Sequence, residues 1–134
     1  MTCLFCNIID GEQPAHKFLD SENFIAILDV FPVNKGHILL IPKQHLETIE
    51  ELPLEHSEEF IKTIQKITRA QREILQAQGI NIITNNGKTA GQKIFHAHVH
   101  LIPRYENDGL ESWPGKKSDE AELTHIASEL ITKR

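Results

Sequence analysis

His96-Ala97-His98-Val99-His100-Leu101-Ile102 is the stretch on which the reading of this chain turns. In an extended strand alternate side chains share a face, so His96, His98 and His100 point one way and Ala97, Val99 and Leu101 the other. The apolar set packs into a core, and the imidazoles line an open face about 7 Å apart at i and i+2. The strand is read from about Ile94 to Ile102, with Pro103 closing it. Three imidazoles offer two chemistries, metal binding or attack on phosphorus. A trio on one straight strand is a poor tetrahedral cage, because its first and third members are far apart. Attack needs a single neutral imidazole in the right tautomer, with donors around it for phosphate oxygens. Imidazole is mostly unprotonated at neutral pH, which suits that role. The ordinary alternative is a solvent-facing polar strand, which Thr, Lys or Glu would fill equally well.

Outward from this strand, periodicity supplies the other elements. Leu4, Phe5, Ile8 and Ile9 have helical spacing, ended by Gly11. Lys17 to Leu19 reads as a short strand. Asn23 to Val30 alternates, with Phe24, Ala26 and Leu28 on one face and Ile25 and Ile27 on the other. Asn34-Lys35-Gly36 is a turn before a strand at His37 to Ile41. Phe60, Ile61, Ile64, Ile67, Ile74 and Leu75 stripe a long helix, with Glu58 and Glu59 in its first turn and Gly79 as its expected cap. Ile80 to Asn85 is a further strand, followed by the turn-rich stretch Asn86 to Gly91. From Ser118, a candidate cap, Leu123, Ile126, Ala127, Leu130 and Ile131 form one face of a last helix. Strands joined by short turns with one long helix inserted predict an α+β fold, an antiparallel sheet with helices on one side.

The chain has 134 residues, enough for one domain that buries roughly two-thirds of its unfolded surface. Its longest apolar run, Ile38 to Ile41, is far too short to span a bilayer. The start Met1-Thr2-Cys3-Leu4-Phe5-Cys6 has no basic region or cleavage site, so a cytoplasmic location is expected. A formal charge of -5 with no basic face argues against general affinity for nucleic acid. The same charge repels a phosphate ester, so a phosphate site has to attract its ligand locally. Five of the eight histidines, His37, His45, His96, His98 and His100, fall in motifs, whereas His16, His56 and His125 read as surface residues.

The two cysteines, Cys3 and Cys6, are too few and too close for a disulfide scaffold. Redox pair, metal half-site and plain buried thiols are the readings their spacing leaves. The surroundings lack the βαβ start of a redox dithiol, and two thiolates three residues apart can share a metal. His45, just past a strand and with no evident core duty, is a natural third ligand.

The run from His96 to Ile102 resembles the histidine-triad signature, His-φ-His-φ-His-φ-φ with φ apolar. The likeness extends through Cys3 to Ile9, Asp29-Val30-Phe31-Pro32, Lys35 to His45, Asn85-Asn86-Gly87 and Ala90-Gly91-Gln92, in order. Only the part after Tyr105 is loosely specified, and residues 1–134 are expected to form one histidine-triad domain. The resemblance implies a sheet of about five strands, one long helix and short terminal helices. It implies a hydrolase in which the middle histidine attacks the α-phosphorus of a nucleotide, forming a nucleotidyl-histidine that water resolves. Mapped here, His98 is the nucleophile, and His100 and His37 hold phosphate oxygens. Asn85 and Gln92 orient the phosphate and leaving group, and Asp29 takes the ribose hydroxyls. Leu4, Phe5, Ile8, Ile27 and Val30 line the base pocket, with plain core packing as the competing reading. The related uridylyltransferases supply a fourth metal ligand, here His96, so Cys3, Cys6, His45 and His96 would hold a structural zinc. The expected substrate is a purine nucleoside phosphoramidate or similar AMP- or GMP-type conjugate. A dinucleoside polyphosphate, transfer to a phosphate acceptor, and an adaptor that only binds nucleotide are the alternatives. A homodimer is implied, with the long helix and a sheet edge at its interface and Trp113 in a tail near the partner's site.

Overall fold

A computed structural model describes residues 3–133. The apolar runs assemble into one antiparallel sheet of β1 (Lys17–Asp20), β2 (Phe24–Leu28), β3 (Ile38–Pro42), β4 (Gly79–Ile83) and β5 (Val99–Arg104), in the order β1-β2-β3-β5-β4. β2 and β3 stand inside the sheet, and their unbroken apolar runs leave both faces of each strand buried. Phe24, Ala26, Ile38, Leu40, Val99 and Leu101 face one way and pack with Ile67 of the long helix α2 (Ser57–Leu75). Ile25, Ile27, Leu39 and Ile41 face the other way and pack with Phe5 and Ile8 of the N-terminal helix α1 (Leu4–Ile9). The helices therefore cover opposite faces, contrary to the one-sided arrangement expected, because β2 and β3 have no polar face to leave in water.

Beyond shifts of one or two residues at strand ends, several boundaries differ from the sequence reading for a local physical reason. β5 begins at Val99, so His96 and His98 lie before it. There the backbone is held from outside the ladder: Ala97 N–H donates to Leu46 O at 2.6 Å, and Thr84 Oγ1 donates to His98 O at 2.8 Å. Pro103 does not close the strand but lies within β5, opposite Ile80 of β4. α2 is capped by Gln76, which adopts a left-handed φ of 58° and donates its N–H to Gln71 O, while Gly79 opens β4. The C-terminal helix α3 (Glu120–Lys133) is capped by Asp119 in place of Ser118, with Asp119 Oδ1 accepting Glu122 N–H at 2.8 Å.

α2 buries Thr63, Ile67 and Gln71, with Phe60 and Ile64 packed beside them, while Ile61 and Ile74 are exposed. Gly36, with φ +88°, passes so close to Leu75 that a side chain there would collide with it. That close approach sets the path of the chain into His37. α3 buries none of its described side chains. Among the described residues, no helix is long and apolar enough to cross a membrane.

Candidate active site

His96, His98 and His100 stand on the α1 side of the sheet, and Phe5 touches the first two. Its ring meets His96 edge-on at 5.9 Å and His98 at 5.0 Å between centroids. The trio does not share one open face. His96 is fully buried, and only His98 and His100, with rings 5.1 Å apart, keep partial access to solvent.

Hydrogen bonds assign a tautomer to each ring. His98 Nδ1 lies 2.7 Å from His96 O, so that nitrogen carries the proton and donates it. The lone pair of His98 is thereby left on Nε2. His37 Nδ1 accepts Val33 N–H at 3.1 Å, which puts the proton of neutral His37 on Nε2. His37 Nε2–H then donates to His100 Nδ1 at 2.9 Å. His100 in turn carries its proton on Nε2, the nitrogen not used by His37. The result is one lone pair and one donor on neighbouring rings, the pairing a nucleophile and an oxyanion donor require.

Electrostatics keeps these rings neutral. Burial pushes His98 below the ordinary imidazole range, against the opposing pull of its bond to His96 O and of Asp29. Burial, followed by the nearness of His98 and His37, pushes His100 down to about 4. Burial also lowers His37, with the Asp29 charge opposing it.

His96 belongs to a second group. Its Nε2–H donates to Pro42 O at 2.7 Å, so its Nδ1 lone pair is free to bind. That Nδ1 lies 3.5 Å from Cys3 Sγ, 3.6 Å from Cys6 Sγ and 3.1 Å from His45 Nδ1. His45 Nδ1 lies 3.5 Å from Cys3 Sγ and 3.2 Å from Cys6 Sγ. A tetrahedral ion about 2.3 Å from sulfur and about 2.0–2.1 Å from nitrogen needs S···N edges near roughly 3.5 Å and an N···N edge near roughly 3.4 Å. The four side chains fit that shape, and the bond to Pro42 O is the second contact that ligating histidines use to fix their ring. Burial, with Cys3 next in effect, pushes the Cys6 thiol up to about 11, so a shared cation is what would draw the proton off. Asp29, His37 and His100 form another close trio. A metal there would have to displace the Nε2 proton that the bond from Val33 N–H imposes on His37, and that tautomer opposes it.

The other candidates separate on contact. Asp29 Oδ1 accepts Phe31 N–H at 2.8 Å, and its Oδ2 lies 3.6 Å from His37 Nε2, beside the His37–His100 pair. His37 itself is buried with both nitrogens engaged, by Val33 N–H and by His100, which leaves it no free nitrogen for a phosphate in this arrangement. Gln92 is likewise spent: Oε1 accepts Gly87 N–H, and Nε2 donates to Glu47 O and Ile94 O. It folds the loop and has no free donor for phosphate. Phe5, Ile8 and Ile27 are core residues with almost no surface to offer a base, whereas Leu4 and Val30 are exposed. Asn85 packs over Gly91 and lines a groove of about 830 Å³ together with Thr84, Thr89, Ile82 and Trp113. Sequence reasoning missed Thr84 and the Val33 N–H, since both act through single main-chain bonds that no side-chain pattern announces.

The HIT domain family model matches residues 10–107. The chain belongs to the HIT family. HIT relatives include the adenosine 5'-monophosphoramidase HNT1 of Saccharomyces cerevisiae, 35% identical over 98% of this chain and 82% of its own length. The adenylylsulfatase HINT3 of Arabidopsis thaliana is 37% identical over 97% of this chain and 66% of its own length. Among solved structures, a HIT-family protein from Bacillus subtilis superposes with a TM-score of 0.91, at 36% identity over 100% of this chain and 98% of its own. A zinc-bound histidine triad protein from Mycobacterium smegmatis does so with a TM-score of 0.76, at 38% identity over 100% and 99%.

Proposed function

We propose that this HIT protein hydrolyses a nucleoside phosphoramidate through a covalent nucleotidyl-histidine on His98. The tautomer of His98 carries this reading: its Nδ1–H is held by His96 O, so Nε2 presents a lone pair. That lone pair attacks the α-phosphorus, and the P–N bond breaks as the leaving amine takes a proton from solvent, which the attacking water of the second step returns. Water then attacks the same phosphorus and displaces His98, giving the nucleoside monophosphate. His100 Nε2–H donates to a non-bridging oxygen as negative charge builds, a contribution of order 10²–10³ in rate for one such donor. Asp29 is assigned to the ribose hydroxyls, and Asn85 to the leaving-group side. Phosphoramidate is favoured because the yeast relative is named a monophosphoramidase, and a purine base follows from the same name.

The group of Cys3, Cys6, His45 and His96 is assigned to zinc, on its S₂N₂ donor set and on the zinc-bound relative. Bound there, zinc supplies no reaction step; the four residues tie α1 to the segment that bears His98. A homodimer belongs to the same reading, supported by exposed Ile82 on β4, which ends the strand order. A cytoplasmic location and the absence of nucleic-acid and membrane partners are proposed with it.

The test is His98→Ala assayed side by side on adenosine phosphoramidate and a diadenosine polyphosphate. Loss of turnover on the phosphoramidate with AMP binding retained supports the scheme. Unchanged turnover removes it. A wild type faster on the diadenosine substrate would shift the leaving group from an amine to a nucleotide.

A further inference from the structure

Gln71 lies in α2, behind the sheet from the reactive histidines, and no step above uses it. It is 1% exposed. Its amide nitrogen donates to Gly36 O at 3.0 Å and to Leu101 O at 2.9 Å. Gly36 immediately precedes His37 and Leu101 immediately follows His100, the two rings joined at 2.9 Å.

The strand register explains why an outside donor is needed there. Ile38 faces Leu101 in the β3–β5 ladder, so two residues further along each strand Gly36 comes opposite Pro103. An ordinary residue at that place would offer its N–H to Gly36 O, as antiparallel pairs do. Proline has none. The ladder ends at the Ile38–Leu101 pair, and Gln71 Nε2 makes the bond that Pro103 cannot. The arrangement carries a cost, because Gln71 Oε1 is buried with no partner. A methionine would fill the same space without it.

We propose that Gln71 is a positioning residue for the hydrolysis. By clamping the carbonyls of Gly36 and Leu101 it fixes how the His37 and His100 rings meet, and hence where His100 Nε2–H points. This rests on the reading that His100 donates to the substrate phosphate.

The experiment compares Gln71→Met, Gln71→Met with Pro103→Ala, and His98→Ala in the full chain. It reads steady-state kinetics on adenosine phosphoramidate and the ¹⁵N spectra of the imidazoles. Gln71→Met is expected to fold and to lower kcat about tenfold with KM within about twofold. The His100 Nδ1 resonance should lose the shift of an accepted hydrogen bond. Adding Pro103→Ala gives residue 103 an N–H for Gly36 O, and should recover most of the loss. A residue that only fills space would show neither the spectral change nor the rescue. Wild-type kcat and spectra in Gln71→Met, or a loss that Pro103→Ala leaves untouched, would overturn the proposal. Undiminished turnover in His98→Ala would instead overturn the nucleophile assignment, while the imidazole spectra still decide the role of Gln71.

Discussion

His96 and His100 stand two residues to either side of His98, and the regions around them work in opposite ways. At His96 two thiols and a second imidazole converge on a lone pair, and the ring is sealed from solvent. At His100 a buried imidazole donates a hydrogen bond to Nδ1, and the ring's own proton stays on Nε2. The partner of one nitrogen decides the task of the other. Pro42 O accepts the Nε2–H of His96 and leaves its Nδ1 as a ligand, whereas His37 Nε2–H occupies the Nδ1 lone pair of His100 and leaves its Nε2–H as a donor. On the proposed reading, one motif of identical residues divides between holding the chain and acting on substrate, with His98 at the join.

The largest break in that contrast should come from Cys6→Ala. It removes one of four ligands, so metal content should fall from one ion per chain to well below it, and thermal stability should drop by several kcal/mol. Metal analysis and melting with and without chelator check both. Next comes His100→Ala, expected to lower kcat by about 10²–10³, or roughly 2.7–4 kcal/mol, with the metal retained. His37→Ala should cost about tenfold in kcat, since it removes the partner that fixes the His100 tautomer and not a group in contact with phosphate.

The smallest effect is on pH. With His100 at about 4 and His98 lowered by burial, both rings gain their protons below the ordinary 6.5. The kcat/KM profile should therefore stay flat as pH falls through about 6.5, the ordinary imidazole value, and decline only below it. The sign for stability follows from the same depression: the folded protein binds fewer protons than the unfolded one, so the contribution is full above about 6.5 and is lost as pH falls toward 4. A decline in kcat/KM centred at the ordinary imidazole value would show that His100 is not held in this environment.

The strands and the two packed helices could be read from apolar spacing, because β2, β3 and α2 owe their form to burial, which hydropathy reports directly. The grouping of Cys3, Cys6, His45 and His96 was also readable, because Cys-x-x-Cys is a local pattern, His45 follows a strand with no evident core duty, and His96 comes from the family resemblance. What escaped was set by contacts between distant main-chain groups. Pro103 was read as a stop, and it is a strand residue because Gln71 and Asn34 bond the carbonyls around it. Gln92 and His37 were read as phosphate contacts, and their polar atoms are consumed by the fold. Phe5, Ile8 and Ile27 show the same limit for apolar residues: their sequence pattern is equally that of a base pocket and of the core they form.

The bond proposed between His98 Nε2 and phosphorus is the step on which every other role at the site depends. Rapid quenching of the wild-type protein with adenosine phosphoramidate, followed by mass mapping of its peptides, reads that bond. One adenylyl group on His98, absent from His100 and from His98→Ala, is the predicted result. Turnover without an adduct at His98, or an adduct on another histidine, would contradict it.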